Sequence, residues 1–388
     1  MAADTKTYWH SHLDHYLGRL EEVVNQDSGT HDPEDVALVS RRFAAWMEAA
    51  GGRLESSRPS PAYGPFLVGR WQGTGVGRVL LVGHLDTVYG HGESRLRPYR
   101  REGDRAMGLG VIDMKSGCLL ALGAVECLIQ SGRPFGQLVL ALTPDEEVGS
   151  PVSRPLLGEL AQAADAVLVL EPGRVNGGVV VGRKGVADFT VRAIGQSAHA
   201  GVAPEDGRSA VLELCHQAVR LSQLNGQEEG LQFNVGVFRG GSRPNVVPAE
   251  AEMVVDVRAA SDAAMDRAHH IFRSLEAVNP GVRLEVDGEF AMPPMETTAQ
   301  VRALFQLAER LAASFGERLT AVSTGGGSDA NHLARAGKPV LDGLGPVGGG
   351  AHSPEEWLEV ASVVVRGALL TELVAAIGAK GEGAFSAP

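Results

Sequence analysis

Three short apolar runs in this chain each end in side chains of the kind that bind metals. The runs and the residues that follow them are 79–82 before His84, 137–142 before Asp145-Glu146-Glu147, and 166–170 before Glu171. Runs of this length and composition predict buried strands. If helical crossovers join them in one parallel sheet, their carboxyl ends lie along the same edge. Because ligands bind at that edge of open α/β sheets, the sequence predicts an α/β fold with its site there.

Each motif also has a purely structural interpretation when taken alone. His84 would be a satisfied histidine at a strand end with Asp86 in a turn, and residues 145–147 a solvated acidic loop. Asp113 precedes a helix predicted over 118–129. An aspartate there is more often an N-cap than a metal ligand, but its two oxygens make both roles possible. Two histidines and several carboxylates converging on one edge are difficult to explain without a metal.

The second histidine follows a strand predicted over 340–344 and a glycine loop. His352 is followed by Ser353, Pro354 and Glu356, a spacing that predicts a helix with Ser353 as N-cap and Glu356 as its reciprocal partner. We therefore expect His352 just outside a helix N-terminus, beside the same sheet edge.

This donor set indicates a metal-dependent hydrolase. Mixed nitrogen and oxygen ligands suit zinc, and such sites also accept cobalt or manganese. A shared carboxylate would hold two ions about 3.5 Å apart, leaving a further carboxylate to take a proton from water. No Gly-x-Ser-x-Gly elbow, no cysteine near a candidate histidine and no phosphate-binding Gly-x-x-x-x-Gly-Lys motif is present. These absences argue against covalent catalysis and nucleotide hydrolysis.

Bulk properties narrow the class further. A chain of 388 residues is longer than one hydrophobic core usually serves, so we expect two domains. The net charge of −12 argues against a nucleic-acid partner. The three cysteines form no Cys-x-x-Cys pair, which favours reduced thiols. Neither a secretory signal nor an apolar run long enough to span a membrane is evident, so we expect a cytoplasmic protein without a membrane partner.

The pattern changes near residue 182. Strands are predicted over 186–193, 231–238, 250–257 and 282–286, with helices over 209–224 and 262–278. Their order, β-α-β-β-α-β, is that of a split βαβ motif. We therefore predict a main domain of residues 1–182 and 297–388, interrupted by an inserted domain of residues 183–296.

Together these motifs resemble the co-catalytic dinuclear zinc peptidases, which include glutamate carboxypeptidases, aminoacylases and acetylornithine deacetylases. The motifs that carry the resemblance are His84-Leu85-Asp86, Gly110-x-x-Asp113-x-Lys115-x-Gly117, Asp145-Glu146-Glu147, Glu171-Pro172 and His352. It extends from about Leu20 to the last helix. It implies an α/β catalytic domain with a mixed, mainly parallel sheet covered by helices, and an inserted α+β lid domain that also forms the dimer interface.

The resemblance implies two Zn²⁺ ions per subunit, for which Co²⁺ or Mn²⁺ can substitute. Its metal ligands would be Asp113 as the bridge, Glu147 and His352 on one ion, and His84 and Glu171 on the other. Glu146 corresponds to the general base, and Asp86 to the partner that orients His84.

Residues of the inserted domain also match this family. His199, in the segment 196–201, corresponds to a histidine that reaches the partner subunit's site and stabilises the oxyanion; the residues alone would suggest a turn. Asn245 corresponds to an oxyanion or substrate contact and Arg258 to a clamp on the substrate carboxylate, a group that guanidinium binds well. Their other interpretation is a loop asparagine and a surface arginine. Gly326 belongs to a glycine loop whose amides would hold the same carboxylate.

The expected activity is hydrolysis of an amide bond next to a free carboxylate. The loop 27–30 and Glu171 favour the glutamate carboxypeptidase branch, acting on a small peptide in a homodimer. The alternative is an N-acyl amino acid deacylase of the acetylornithine deacetylase or succinyl-diaminopimelate desuccinylase type. A third possibility is a binding protein that retains the fold without catalysis.

Overall fold

The computed structural model describes residues 2–58 and 60–385, which form a succession of helices and strands. The helices are α1 (Ala2–Ser11), α2 (Leu13–Val24), α3 (Pro33–Ala49), α4 (Glu93–Leu96), α5 (Ser116–Gln130), α6 (Arg154–Gln162), α7 (Ala210–Gln223), α8 (Asp262–Arg273), α9 (Ala299–Ala313), α10 (Asp329–Leu333) and α11 (Val360–Lys380). The strands are β1 (Arg53–Ser57), β2 (Phe66–Gln72), β3 (Arg78–His84), β4 (Arg100–Glu102), β5 (Arg105–Met107), β6 (Gln137–Thr143), β7 (Ala166–Val169), β8 (Gly178–Arg183), β9 (Gly185–Ile194), β10 (Leu231–Gly240), β11 (Glu250–Ala259), β12 (Arg283–Asp287), β13 (Phe290–Met292), β14 (Thr320–Thr324), β15 (Val340–Leu341), β16 (Gly348–Gly349) and β17 (Trp357–Glu359).

The chain divides into two compact units. The larger comprises Met1–Val181, Thr297–Ser323 and Ser328–Pro388, and the smaller comprises Gly182–Glu296 and Thr324–Gly327. The smaller unit thus begins one residue before the predicted boundary and also takes residues 324–327, which we predicted in the main domain. The reason is electrostatic: the guanidinium groups of Arg183 and Arg258, both in the smaller unit, donate to main-chain carbonyls of residues 325–327.

A six-stranded sheet of order β1-β2-β6-β3-β7-β15 forms the centre of the larger unit. The ladders β1–β2 and β2–β6 are antiparallel, whereas β6–β3, β3–β7 and β7–β15 are parallel. The sheet is therefore mixed and mainly parallel, as predicted. The parallel strands β6, β3 and β7 end at one edge, which brings the residues that follow them together.

These strands are apolar throughout because they are buried on both faces. In β3 every residue after Arg78 is buried, and β7 is buried along its whole length. Helices α5 and α11, both apolar over most of their surface, belong to the same core as the sheet. Continuous apolar runs, rather than alternating ones, are what a covered parallel sheet requires.

One helix of this core is as long and apolar as a membrane-spanning helix, a property that we expected of no segment. Val360–Ala384 is long and apolar enough to cross a membrane, judged by length and composition alone. In the structure 83% of its most apolar stretch is buried inside the protein. The expectation that no apolar run reaches this length was therefore wrong, and packing in the core of the larger unit accounts for the apolar character of α11.

The smaller unit has its own antiparallel sheet and core. Its strands are ordered β10-β11-β9-β12, with β13 also paired to β9, and its elements follow the predicted β-α-β-β-α-β order. Alternate residues of β9 and β11 are buried, and Phe189 stacks on Phe272 of α8 with 4.1 Å between ring centroids. Helix α8 ends at Arg273, five residues before the predicted end at 278.

The predicted helix start at Ser353 is wrong. Residues 353–356 form turns, β17 follows, and α11 begins only at Val360. The Ser353 hydroxyl donates to the Gly350 carbonyl instead of capping a helix. The preceding strand is also shorter than expected, because β15 ends at Leu341.

Candidate metal centre

His84 is placed at the end of β3 with one ring nitrogen free to bind a metal. Its Nδ1 lies 2.9 Å from the main-chain oxygen of Asp86, which only accepts hydrogen bonds, so Nδ1 carries the hydrogen. Its Nε2 faces carboxylate oxygens of Asp113 at 3.3 Å and Glu171 at 3.8 Å. The main chain thus fixes the tautomer that presents a lone pair to the site.

Asp113 lies between the two histidines. Its Oδ1 is 3.3 Å from His84 Nε2, and its Oδ2 is 3.4 Å from His352 Nε2. The residue has a non-helical backbone, with φ of −115° and ψ of 97°, and does not cap α5, which begins at Ser116. The prediction that Asp113 caps the following helix is therefore wrong. A carboxylate whose two oxygens face two different imidazoles has the placement of a bridging ligand.

His352 and Glu147 complete one side of the cluster. The Nε2 atom of His352 lies 3.1 Å from Glu147 Oε2. His352 adopts a left-handed backbone conformation with φ of 60°, which few residues with a side chain adopt. This conformation aims the ring from the loop after β16 towards the carboxylates.

The carboxylates that follow β6 and β7 lie within reach of the same centre. Ligand atoms of His84, Asp113 and Glu147 all lie within 4.8 Å of one another, and so do those of His84, Glu146 and Glu171. Glu146 and Glu147 occupy a short 3-10 turn at the end of β6. The predicted ligands and base therefore meet at one place in the larger unit.

Asp86 connects this turn to the loop before α3. Its carboxylate accepts the N–H groups of Glu146 and Glu147, both at 3.2 Å, and the hydroxyl of Thr30 at 2.8 Å. The same carboxylate lies 3.5 Å from His84 Nδ1, farther than the Asp86 carbonyl. Asp86 thus orients His84 chiefly through its main chain and fixes the Glu146–Glu147 turn through its side chain. Thr30 was not among the predicted site residues; its loop, 27–30, had been matched to the glutamate carboxypeptidase branch.

Concentrated negative charge shifts the protonation of the cluster. Burial raises the pKa of Glu146 well above its usual value, and the neighbouring carboxylates of Glu171 and Asp329 raise it further. Hydrogen bonds to Asp113 and Glu147 raise the pKa of His352 to about 10. In the protein alone, protons therefore offset the carboxylate charge. Divalent cations would fulfil this role directly, and the mixed imidazole and carboxylate set fits zinc.

The other predicted site residues lie in the smaller unit. His199 is exposed, and its Nδ1 accepts the N–H of Gly201 at 3.2 Å. The carbonyl of Asn245 accepts the N–H of Ala200 at 3.0 Å, which brings the segments of His199 and Asn245 side by side.

Arg258 is already engaged with a carboxylate. Its Nε and one terminal nitrogen donate to the two oxygens of Asp256 at 2.9 and 2.6 Å, and its other terminal nitrogen lies 3.3 Å from the Gly325 carbonyl. Arg258 is thus next to the loop that contains Gly326. Arg258 thus forms with Asp256 the bidentate pair that it would form with a substrate carboxylate.

Comparison with known proteins agrees with this geometry. The model of peptidase family M20/M25/M40 matches residues 80–376. The chain belongs to this family. It is therefore an enzyme, and its class is hydrolase, as the motifs predict.

Individual relatives extend the likeness over most of the chain. Carboxypeptidase G2 of Pseudomonas sp. (strain RS-16) is 32% identical over 367 residues, which cover 93% of this chain and 88% of the relative. A succinyl-diaminopimelate desuccinylase of Cereibacter sphaeroides is 30% identical over 376 residues, covering 89% and 93%. The crystal structure of aminopeptidase PepT from Bacillus cereus has a TM-score of 0.80 at 20% identity, covering 94% of this chain and 98% of that one, and is similar in fold.

Proposed function

We propose that this protein is a dinuclear zinc carboxypeptidase that releases a C-terminal amino acid of the glutamate type from a small peptide. The observation that carries the proposal is the position of Asp113, whose two oxygens face the Nε2 atoms of two histidines. The 32% identity to a carboxypeptidase over 93% of the chain supports the choice of substrate class.

Each ion would have its own ligands besides the bridge. Glu147 and His352 would hold one ion, and His84 and Glu171 the other. When bound, the two ions supply Lewis acidity towards the oxygen of the scissile carbonyl. The protein's own contribution is the orientation of these ligands, which the Asp86 carbonyl and carboxylate fix for His84 and the 146–147 turn.

Glu146 is proposed as the general base. It lies beside His84 and Glu171 but outside the pairs assigned to the ions. Burial raises its pKa, which makes the carboxylate a better proton acceptor. It would take a proton from the attacking water and then deliver it to the leaving nitrogen.

Residues of the smaller unit carry the remaining roles that the family resemblance implies. Arg258 would exchange Asp256 for the substrate carboxylate, aided by the amides at Gly326, while Asn245 would contact the substrate or the oxyanion. His199 would act in the site of the partner subunit, so the proposal includes a homodimer. Strand β10 supports this, since it is an edge strand whose second half is exposed and includes Phe238 at 40% exposure.

Replacement of Glu146 by glutamine tests the proposal. Glu146→Gln keeps the size of the side chain and removes its basicity, so kcat/KM on a peptidyl-glutamate substrate should fall by about 10²- to 10⁴-fold. Bound metal, measured by elemental analysis, should remain at two ions per chain. Glu21→Gln, on the exposed face of α2, is the matched control and should retain activity. Full activity of the Glu146 variant would exclude this residue as the base.

A deacylase is the second candidate, favoured by the 30% identity to a succinyl-diaminopimelate desuccinylase. A panel of N-acetyl, N-succinyl and peptidyl-glutamate substrates distinguishes the two. The carboxypeptidase proposal requires the highest kcat/KM on the peptidyl-glutamate. A higher value on an N-acyl amino acid would replace it with the deacylase, and two bound zinc ions without turnover of any amide would indicate a binding protein.

A further inference from the structure

A carboxylate outside the proposed ligand set joins the segments that carry two of the ligands. Glu356 is completely buried. Its Oε1 accepts the N–H groups of Ile112 at 2.8 Å and Asp113 at 2.9 Å, and its Oε2 accepts that of Gly110 at 2.8 Å. Three main-chain donors of one turn therefore converge on a side chain located four residues after His352.

Tyr89 extends this connection to the histidine. Its hydroxyl lies 2.9 Å from Glu356 Oε2 and 2.9 Å from the carbonyl oxygen of Ser353, the residue that follows His352. The N–H of Glu356 donates to the same Ser353 carbonyl at 3.2 Å. His352 has a left-handed backbone, a conformation that persists only where the surrounding structure holds it. These contacts hold the turn that contains it.

We propose that Glu356 is a positioning residue that fixes Asp113 and His352 relative to each other. It thereby sets the affinity for the ion assigned to Asp113, Glu147 and His352; this inference rests on the proposed dinuclear site. A carboxylate suits the task because its two oxygens only accept, and here all the main-chain groups that face it donate. Glutamine would turn an NH₂ group towards one of those donors, which would leave two donors facing each other.

Metal binding provides the test, independently of turnover. Metal-free protein is titrated with Zn²⁺ by calorimetry, comparing wild type with Glu356→Gln. We expect one of the two binding steps to weaken by about 10- to 100-fold in the variant while the other step is retained. Turnover measured in parallel should recover when Zn²⁺ is raised above the weakened dissociation constant.

Glu213→Gln is the matched control for the loss of a buried carboxylate. Glu213 is also fully buried and accepts the main-chain N–H groups of Val278 and Asn279, but it lies in the smaller unit. Its variant should lose a comparable amount of thermal stability and bind both zinc ions as wild type does. Weakening of zinc binding in both variants alike would show a general stability effect and overturn the inference.

Two further outcomes separate this inference from the proposed function. If wild type binds two zinc ions and Glu356→Gln binds both with unchanged affinity, Glu356 has no positioning role. If wild type binds fewer than two ions, the dinuclear proposal itself fails, and the inference fails with it.

Should Glu356→Gln not fold, Tyr89→Phe is the substitute variant, because it removes only the hydroxyl that contacts Glu356. Weaker binding in that variant supports the inference, and unchanged affinity overturns it.

Discussion

Individual side chains of the metal centre depend on main-chain groups for their orientation. His84 is held by the Asp86 carbonyl, and Asp86 in turn holds the N–H groups of Glu146 and Glu147. These hydrogen bonds restrict the rotation of the His84 ring and the movement of the turn that carries Glu146 and Glu147. The chemistry of the centre is therefore set as much by the strand ends and turns as by the ligands themselves.

A histidine that is not among the proposed metal ligands predicts how stability depends on pH. Burial lowers the pKa of His332 from 6.5 to about 4, and the nearby Arg154 and Arg335 lower it further. Between these two pH values the unfolded chain binds a proton that the folded chain does not. His332 therefore does not lower the free energy of unfolding above pH 6.5, but lowers it progressively as the pH falls towards 4. His332→Gln should remove about 2 kcal/mol of this acid destabilisation, measured by urea unfolding across that range.

An exposed histidine provides the control for this experiment. His216 lies on the exposed face of α7, so His216→Gln should leave the slope of stability against pH as in wild type. The same slope in wild type and His332→Gln would show that His332 does not cause the acid destabilisation.

The residue types at the strand ends predict which side chains converge, but not the contacts that support them. The strands β3, β6 and β7 are parallel neighbours, so the side chains that follow them necessarily meet at one edge. Glu356 was instead predicted as part of a helix start, because Ser-Pro-x-Glu is a local pattern for that structure. One of its actual partners, Gly110, is 246 positions away in the sequence. No local pattern contains such information.

At the scale of elements, the side chain of Trp9 joins α1 to the core. Trp9 is buried, and its Nε1 donates to the Thr371 hydroxyl of α11 at 3.1 Å. A Cβ atom at Gly367 of α11 would overlap the indole ring, and one at Gly123 of α5 would lie too close to it. The absence of side chains at these two glycines therefore lets α1 pack against both helices.

Gly367→Ala is the corresponding prediction. The added methyl must displace a buried indole, so the free energy of unfolding should fall by about 1–3 kcal/mol. Denaturant unfolding followed by tryptophan fluorescence measures the change. Gly18→Ala, in α2 with open space at its Cβ position, should instead raise stability by about 0.5–1 kcal/mol. Equal effects of the two substitutions would contradict the proposed packing role of Gly367.

Periodicity predicted the β-α-β-β-α-β elements of the smaller unit, and the error in the end of α8 arises where a tertiary contact overrides it. Helix α8 was predicted to continue to residue 278 but ends at Arg273. The carboxylate of Glu213, on α7, accepts the N–H groups of Val278 and Asn279 at 3.0 and 2.8 Å. These N–H groups therefore bond to a side chain of another helix and not within α8. The local sequence does not reveal this contact.

For the whole molecule, metal binding should contribute directly to stability. Several carboxylates converge in the larger unit, and without metal ions only bound protons offset their mutual repulsion. Chelation should therefore lower the thermal midpoint, and Zn²⁺ at about 100 times its dissociation constant should restore about 2.7 kcal/mol of stability. Differential scanning calorimetry measures both changes.

The bridging position provides the control for this prediction. In Asp113→Asn the carboxylate that faces both histidines is replaced by a neutral amide, so added Zn²⁺ should stabilise this variant much less than wild type. Identical midpoints for chelated and zinc-loaded wild type would show that the cluster does not bind metal in the folded protein.

The division of the chain into units was predictable except at one loop. Composition and strand order predicted boundaries within one residue of Gly182 and at Glu296. Residues 324–327 belong with the smaller unit because Arg183, remote in sequence, donates to the carbonyls of Gly326 and Gly327 at 2.9 and 3.1 Å. A short loop between two elements of the larger unit has no composition that would indicate this.

The proposed exchange of His199 between subunits can be tested with two inactive chains. Glu146→Gln lacks the base and retains His199, whereas His199→Ala retains the base and lacks the histidine. If each site combines its own Glu146 with the partner's His199, mixed dimers contain one complete site. Unfolding the two variants together and refolding them with Zn²⁺ should then restore roughly a quarter of wild-type activity, as random pairing of the chains requires.

Each variant refolded alone is the control and should stay inactive, because neither of its own dimers has a complete site. If His199 acted within its own subunit, the mixture would stay as inactive as its components, because every site would lack either the base or the histidine. A mass of one chain by light scattering in the active fraction would also contradict the exchange. Phe238→Asp, on the exposed part of β10, should weaken the dimer and the recovery together. Leu96→Asp, at an exposed apolar residue of the larger unit, should affect neither.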